Sequence, residues 1–226
     1  MKIEMDTTRR RLRSKGTMRR RPTNQVVKIN TDAITAILSP IYNELPKTTA
    51  VGQHNLTYGE VEWQTLKLMI ERALTQTPEW QGSGRFYDLG CGRARAVLFM
   101  ALTGIFEQSV GIEVLPERIS LAQQALIKLR GSLPNMANKV RLYEASFMNP
   151  SFKYRDARMV FLSNMCFDNE TQDAIFAKLN TEMQKGSLVF CSRMPSKPIP
   201  AFELLSTEQV PMTWSPSSEI HILRHL

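Results

Sequence analysis

Cysteine is scarce in this chain of 226 residues, with only Cys91, Cys166 and Cys191 present. An odd count without metal-ligand spacing argues against a disulfide-framed secreted scaffold and against a structural zinc site. Each cysteine lies in or beside an apolar stretch, so buried free thiols in a reducing, intracellular compartment are expected. Histidine is equally rare, and His54, His221 and His225 are scattered, which suits surface or packing roles better than a metal or acid–base cluster. No metal is expected. Long apolar runs are missing too. None approaches the roughly 20 residues of a membrane-spanning helix, and no signal-peptide core stands near the N-terminus. Beyond one basic segment there is no internal repeat and no low-complexity tract, which excludes solenoids and fibres.

What is present is a core-forming composition, 42% hydrophobic, with a net charge of +8. That charge is local. Residues 1–28 hold ten basic and two acidic side chains, so the rest of the chain is neutral. The segment "TTRRRLRSKGTMRRRP" has too few apolar residues to bury a core and reads as a disordered arm. Phosphate-backbone contact by residues 9–21, nuclear import, or a plain solvated tail are the uses it suits, while a mitochondrial presequence fits less well because Glu4 and Asp6 interrupt it and serine is scarce. The expected organisation is arm 1–28, a helical N-terminal region 29–84 and a catalytic core 85–226.

After the arm, "TDAITAIL" suggests a short helix capped by Thr31 or Asp32 and broken at Ser39-Pro40. Trp63, Leu66, Ile70 and Leu74 then mark one face of a helix opened near Thr57. From Arg85 strands alternate with helices. Strands are expected at 85–89, 109–114, 139–144, 157–163 and 186–191, and helices at 93–103, 116–130 and 168–184. Pro116 opens the second of these helices and Gly131 is expected just past its end. The alternation implies right-handed βαβ units and a mostly parallel sheet. "EIHILRHL" reads as a last strand without a helix before it, antiparallel to a strand near 205–212.

The informative stretch is "RFYDLGCGRARAVLFMAL", residues 85–102. Arg85 to Leu89 read as a buried strand, and Gly90 and Gly92 remove two Cβ atoms where the backbone must turn and approach a ligand. A strand, a G-x-G turn and a helix start make a nucleotide-type site. The dinucleotide pattern G-x-G-x-x-G/A fails, because Arg95 occupies its third position, whereas Ala94 satisfies G-x-G-x-G. Asp88 would repel a pyrophosphate but suits a ligand carrying an amino group and a sulfonium. Glu113 follows Gly92 by 21 residues at the end of the next strand, where an acid can accept both ribose hydroxyls. Together these favour S-adenosylmethionine over NAD.

Three further stretches carry a resemblance. "TYGE" (57–60), "SNMCF" (163–167) and "MTW" (212–214), in order with "YDLGCGRA" and "GIEV", resemble the disruptor-of-telomeric-silencing family of non-SET histone-lysine methyltransferases, over roughly residues 55–215. The resemblance implies a class I methyltransferase fold, a Rossmann-like, seven-stranded, mostly parallel sheet with an antiparallel last strand. Tyr58, Gly59 and Glu60 match the family's cofactor-closing loop, whose acid faces the methionine amino group. Asp88, Gly90 and Gly92 match its glycine turn and Glu113 its ribose acceptor. Asn164 matches the asparagine beside the methionine part and the target-lysine channel. Phe167 matches an aromatic wall of that channel and Trp214 a late tryptophan beside it. Four positions depart from the pattern. Val61 replaces a threonine, Arg95 a glutamine and Ser146-Phe147 an Asp-Phe pair that brackets adenine, while the channel tyrosine near the last strand has no counterpart. Glu144, two residues before Ser146, is an alternative partner for adenine.

The implied activity is transfer of a methyl group from S-adenosylmethionine, leaving S-adenosylhomocysteine, to a lysine in the globular core of a nucleosomal histone of the H-three type. Such a displacement needs alignment above all, and no general base is required or evident. A monomeric nuclear enzyme is expected, with nucleosome and DNA phosphate as partners and no membrane contact. Two rival readings compete with this one. A nucleic-acid amino-methyltransferase would use Asn164-Met165-Cys166-Phe167, but that tetrad lacks the two prolines such enzymes carry. A chromatin-binding module with an inactive fold leaves Asp88, Gly90, Gly92 and Glu113 unexplained.

Overall fold

The structure is a computed structural model, and it describes residues 29–48, 59–77 and 84–226. The basic arm, Tyr58, His54 and Trp80 lie outside the described residues. Seven strands form one sheet in the order β3-β2-β1-β4-β5-β7-β6. They are β1 (Arg85–Leu89), β2 (Gln108–Glu113), β3 (Val140–Glu144), β4 (Ala157–Leu162), β5 (Leu188–Cys191), β6 (Phe202–Met212) and β7 (Ser215–His225). The first five are parallel. β7 pairs antiparallel with both β5 and β6, as the missing helix before the last strand foretold.

Alternation along β1 explains the layering. Phe86 packs against the cluster formed with α1 (Thr31–Glu44), α2 (Trp63–Gln76), α3 (Arg95–Thr103) and α4 (Pro116–Ser132). Tyr87 and Leu89 point the other way, toward Ile175, Phe176 and Leu179 of α6 (Asn169–Glu182). A short α5 (Pro134–Ala137) follows α4. Because β2 and β4 flank β1, the chain reverses direction of winding there, and ligands of open α/β sheets bind beyond the strand ends at that switch point. No helix among the described residues is long and apolar enough to cross a membrane.

Several boundaries differ from the sequence expectation. α1 does not break at Ser39-Pro40 but runs through Pro40 to Glu44. Leu38, Ile41 and Tyr42 are buried on either side of the proline, and the Tyr42 hydroxyl donates to the Arg93 carbonyl at 3.0 Å. That packing outweighs the roughly 3 kcal/mol an interior proline costs. Its cap is Asn30, whose side chain accepts from the Ala33 N–H at 3.0 Å, not Thr31 or Asp32. α2 starts at Trp63 after Glu62, with no side-chain cap. α4 continues through Gly131, and its last turn is closed by the Leu133 N–H on the Leu129 carbonyl. At α3 the turn extends two residues further than expected because Ala94 itself adopts the left-handed conformation, φ 63. Gly104 ends that helix at φ 74, as expected.

β6 and β7 form a hairpin longer than expected, closed by Thr213-Trp214. Its tip is anchored on the segment before α2. Val61 and Met212 form an antiparallel bridge. The Thr213 N–H donates to the Glu60 carbonyl at 3.0 Å, and the Glu60 N–H donates to the Thr213 Oγ1 at 2.8 Å. Thr65 adds a bond to the Pro211 carbonyl at 2.6 Å.

Candidate active site

At the switch point lies a cavity of about 420 Å³. Four strand ends and the hairpin tip build it, and most of the expected site residues converge there. Gly59, Glu60, Val61, Asp88, Gly90, Gly92, Arg95, Glu113, Ser146, Phe147, Phe167 and Trp214 all line it. Glu144, the alternative to Ser146, is exposed and is not among the residues that line it.

The glycine turn is held by an acid. Gly90 and Cys91 both donate backbone N–H groups to the Ile112 carbonyl, at 2.8 and 3.1 Å, and Gly90 sits at φ +93. The Glu113 carboxylate then accepts from three backbone N–H groups. Gly92 donates to Oε2 at 2.9 Å, while Val114 and Leu115 donate to Oε1 at 2.9 and 3.0 Å. Glu113 therefore organises the turn as well as facing the cavity. Beneath it Gly111 is required by space, since a Cβ there would stand 2.7 Å from the Cys91 sulfur.

Asp88 is buried beside Glu113, and burial followed by that neighbouring charge holds its carboxyl well above the usual range. Burial first, then Asp88 and Glu113, also push the thiol of Cys91 up, so this residue, which also lines the cavity, stays a protonated thiol. Cys191 is buried as expected, but Cys166 is partly exposed and lines the cavity.

Glu60 has a partner that the sequence did not suggest. Arg93, only 5% exposed, grips its carboxylate with two bonds of 2.7 Å, Nε to Oε1 and Nη2 to Oε2. Arg93 also donates to the Pro46 carbonyl at 2.8 Å, tying α1 to the glycine turn. Arg95 reaches the same Glu60 at 3.3 Å, lies 3.8 Å over the Trp63 ring, and keeps a buried Nε with no partner. Two arginines inside an otherwise apolar helix start were the available signal, because buried cations require partners.

The apolar wall is continuous. Phe147 and Phe167 stack at 5.5 Å, and the Phe167 ring tip would stand 3.8 Å from a Cβ on Gly90. Phe167 thus sits over the glycine turn, rather than only in a lysine channel. The Ser146 hydroxyl accepts from the Met148 N–H at 3.2 Å and remains able to donate. Trp214 covers Gly59 so closely that a Cβ there would stand 2.1 Å from its ring. Val114, Met165 and Trp214 are 50, 41 and 41% exposed, and they form an apolar rim among the lining residues.

Asn164 is placed differently from expectation. Its side chain is fully buried and does not line the cavity. Its amide is bonded instead to Gln172 and to the backbone of Ser192 and Arg193. Arg118, buried on α4, was missed as a cavity wall and carries no local motif that would flag it, whereas Ser163, Met165 and Cys166 line the cavity beside the expected Phe167, within the "SNMCF" stretch.

These residues match what a methyl-donating sulfonium nucleoside requires. Asp88 would receive a cationic amino group, the orphaned Arg95 Nε a carboxylate, Glu113 the ribose hydroxyls, and Phe147 beside Ser146 the base.

A family model described as Histone methylation protein DOT1 matches residues 35–200. No curated protein matches the chain. Among solved structures, a putative RNA methyltransferase from Pyrococcus horikoshii superposes at TM-score 0.57 with 12% identity, over 86% of this chain and 96% of its own. A putative methylase from Haemophilus influenzae gives 0.53 at 14% identity, over 71% and 98%. The [4+2]-cyclase SpnF gives 0.53 at 13% identity, over 85% and 94%. Identities this low establish a shared class I methyltransferase fold and nothing of substrate.

Proposed function

The chain belongs to the histone methylation protein DOT1 family, a family of S-adenosylmethionine-dependent methyltransferases, and from that membership we propose that it methylates a histone lysine. The proposed target lies in the globular part of an H-three type histone within the nucleosome, and the proposed site of action is the nucleus. The observation that carries this reading is the rim of Val114, Met165 and Trp214 around a cavity floored by Asp88 and Glu113.

When bound, S-adenosylmethionine supplies a methyl group activated by its positive sulfur. The chain's own residues do the rest by placement. Asp88, Arg95, Glu113 and Phe147 would hold and orient the donor, so that the displacement would be a matter of alignment. A lysine amine attacks only when uncharged. The apolar rim strips water from the ammonium and lowers its pKa, which favours the neutral form. Among the described residues lining the cavity there is no histidine, and Glu60 and Glu113 are already engaged in ion pairing or backbone bonds. Proton loss to solvent before attack is consistent with that arrangement.

Residues 9–21, eight basic side chains among them, would contact DNA phosphates beside the substrate. The nucleic-acid methyltransferase reading gains no support from the RNA-methylating neighbours, whose likeness is one of fold.

The test is incubation with labelled methyl donor and nucleosomes, free core histones, RNA and DNA in parallel. Label on a histone lysine in nucleosomes is expected. Label on RNA or DNA alone would overturn the proposal. Removal of residues 1–28 should weaken nucleosome binding and flatten its salt dependence while leaving donor affinity unchanged.

A further inference from the structure

We propose that Arg193 and Gln172 are positioning residues which, with Asn164, set the geometry of the Ser163–Phe167 wall. This rests on reading the cavity as the methyl-donor site. The three side chains form a closed network at the end of β4, between the end of β5 and α6. The Asn164 Oδ1 accepts from the Ser192 and Arg193 N–H groups at 2.9 and 3.0 Å. Its Nδ2 donates to the Gln172 Oε1 at 3.0 Å and to the Arg193 carbonyl at 2.8 Å. All four bonding positions of the amide are therefore filled, and none faces the cavity.

Arg193 carries the network to the wall. Its Nε donates to the same Gln172 Oε1 at 3.0 Å, and its Nη2 donates to the Phe167 carbonyl at 2.6 Å and to Asn169 Oδ1 at 3.3 Å. Gln172, 1% exposed, completes the set by donating to the Met194 carbonyl. The Phe167 N–H returns to the Asn164 carbonyl at 3.2 Å. The five residues from Ser163 to Phe167 are thus held at both ends, while Ser163, Met165, Cys166 and Phe167 face the cavity. An in-line displacement is sensitive to displacement of such a wall, and a shift of about 1 Å from a remote change can cost on the order of 100-fold in rate. The direct contact implied for Asn164 by family resemblance becomes an indirect one here.

Cys166 supplies a reporter independent of any methyl acceptor, because it is partly exposed while Cys91 and Cys191 are buried. Alkylation by iodoacetamide is followed cysteine by cysteine, by peptide mass spectrometry, with and without S-adenosylhomocysteine. Arg193→Lys keeps the charge but replaces the planar fork, whose separate nitrogens reach Gln172 and Phe167, with a single ammonium. Gln172→Leu removes the acceptor that both partners share. In each variant Cys166 should alkylate several-fold faster than in the wild type, with Cys91 and Cys191 still protected. With nucleosomes, kcat should fall about 10- to 100-fold while the KM for S-adenosylmethionine changes little. Unchanged Cys166 rates in both variants would overturn the proposal. So would a joint rise at all three cysteines, which marks general loosening. Failure of S-adenosylhomocysteine to slow Cys166 in the wild type would overturn the donor-site reading instead, and the clamp would still be decided by the cysteine rates.

Discussion

Replacing Glu113 by alanine should damage the cofactor-free protein as well as donor binding. The carboxylate holds three backbone N–H groups at 2.9, 2.9 and 3.0 Å, those of Gly92, Val114 and Leu115. A hydrogen bond to a charged group contributes roughly 1.5–3 kcal/mol, and bonds sharing one acceptor are not additive. About 3 kcal/mol is therefore the expected loss, since buried donors are left unmade. For a chain of this size that corresponds to a fall in Tm of about 6–12 °C. Glu113→Gln keeps an oxygen for Val114 and Leu115 but turns an amide N–H toward Gly92, so a loss of roughly 1–2 kcal/mol is expected. Thermal unfolding without ligand measures the first effect. Calorimetry with S-adenosylhomocysteine measures the second, where Glu113→Ala should lose about 10- to 150-fold in affinity through the ribose. An alanine variant that melts with the wild type and loses only affinity would refute the organising role.

The remaining predictions concern the same neighbourhood. Asp88 has its carboxyl raised by burial and by Glu113, so ionisation costs stability as pH rises from its unfolded value through its folded one. Asp88→Asn should abolish that slope and stabilise the ligand-free protein. A cationic ligand favours the ionised form, so wild-type affinity for S-adenosylmethionine should rise with pH over the same range, with proton release seen by calorimetry in two buffers. Arg93→Ala should cost about 3 kcal/mol in urea unfolding, because it removes both 2.7 Å bonds to the Glu60 carboxylate, which is 11% exposed, and leaves it the longer 3.3 Å contact with Arg95. The double variant with Glu60→Gln should recover much of that loss. Gly111→Ala should destabilise by about 1–3 kcal/mol, since its Cβ would meet Cys91, Val97 and Leu142 at 2.7, 2.9 and 3.0 Å. Equal stability on denaturation would show that the strand can shift freely.

The parts legible in the sequence were those written in short-range spacing. Gly90, Gly92 and Glu113 belong to one βαβ unit, and alternation of strands and helices foretold five parallel strands in the observed sheet. Ala94 is small enough for close packing, yet it also adopts the left-handed conformation, which an alanine does not advertise. Pro40 shows the opposite failure. Its local rule was correct, and burial of Leu38, Ile41 and Tyr42 overrode it. The Arg93–Glu60 pair joins residues 33 apart, and the Asn164 network draws on three elements. Neither has a local signature. Charge inside an apolar run asks for a partner without naming it.

The docking of the hairpin tip on Glu60 joins residues 153 positions apart, one before the second helix and one after the sixth strand. The donor cavity is therefore a late product of synthesis. Until β6 and β7 have paired, the wall that Trp214 lays over Gly59 is missing. The wall over Gly59 thus depends on pairing of β6 with β7, and any change that loosens that hairpin opens the cavity at Trp214.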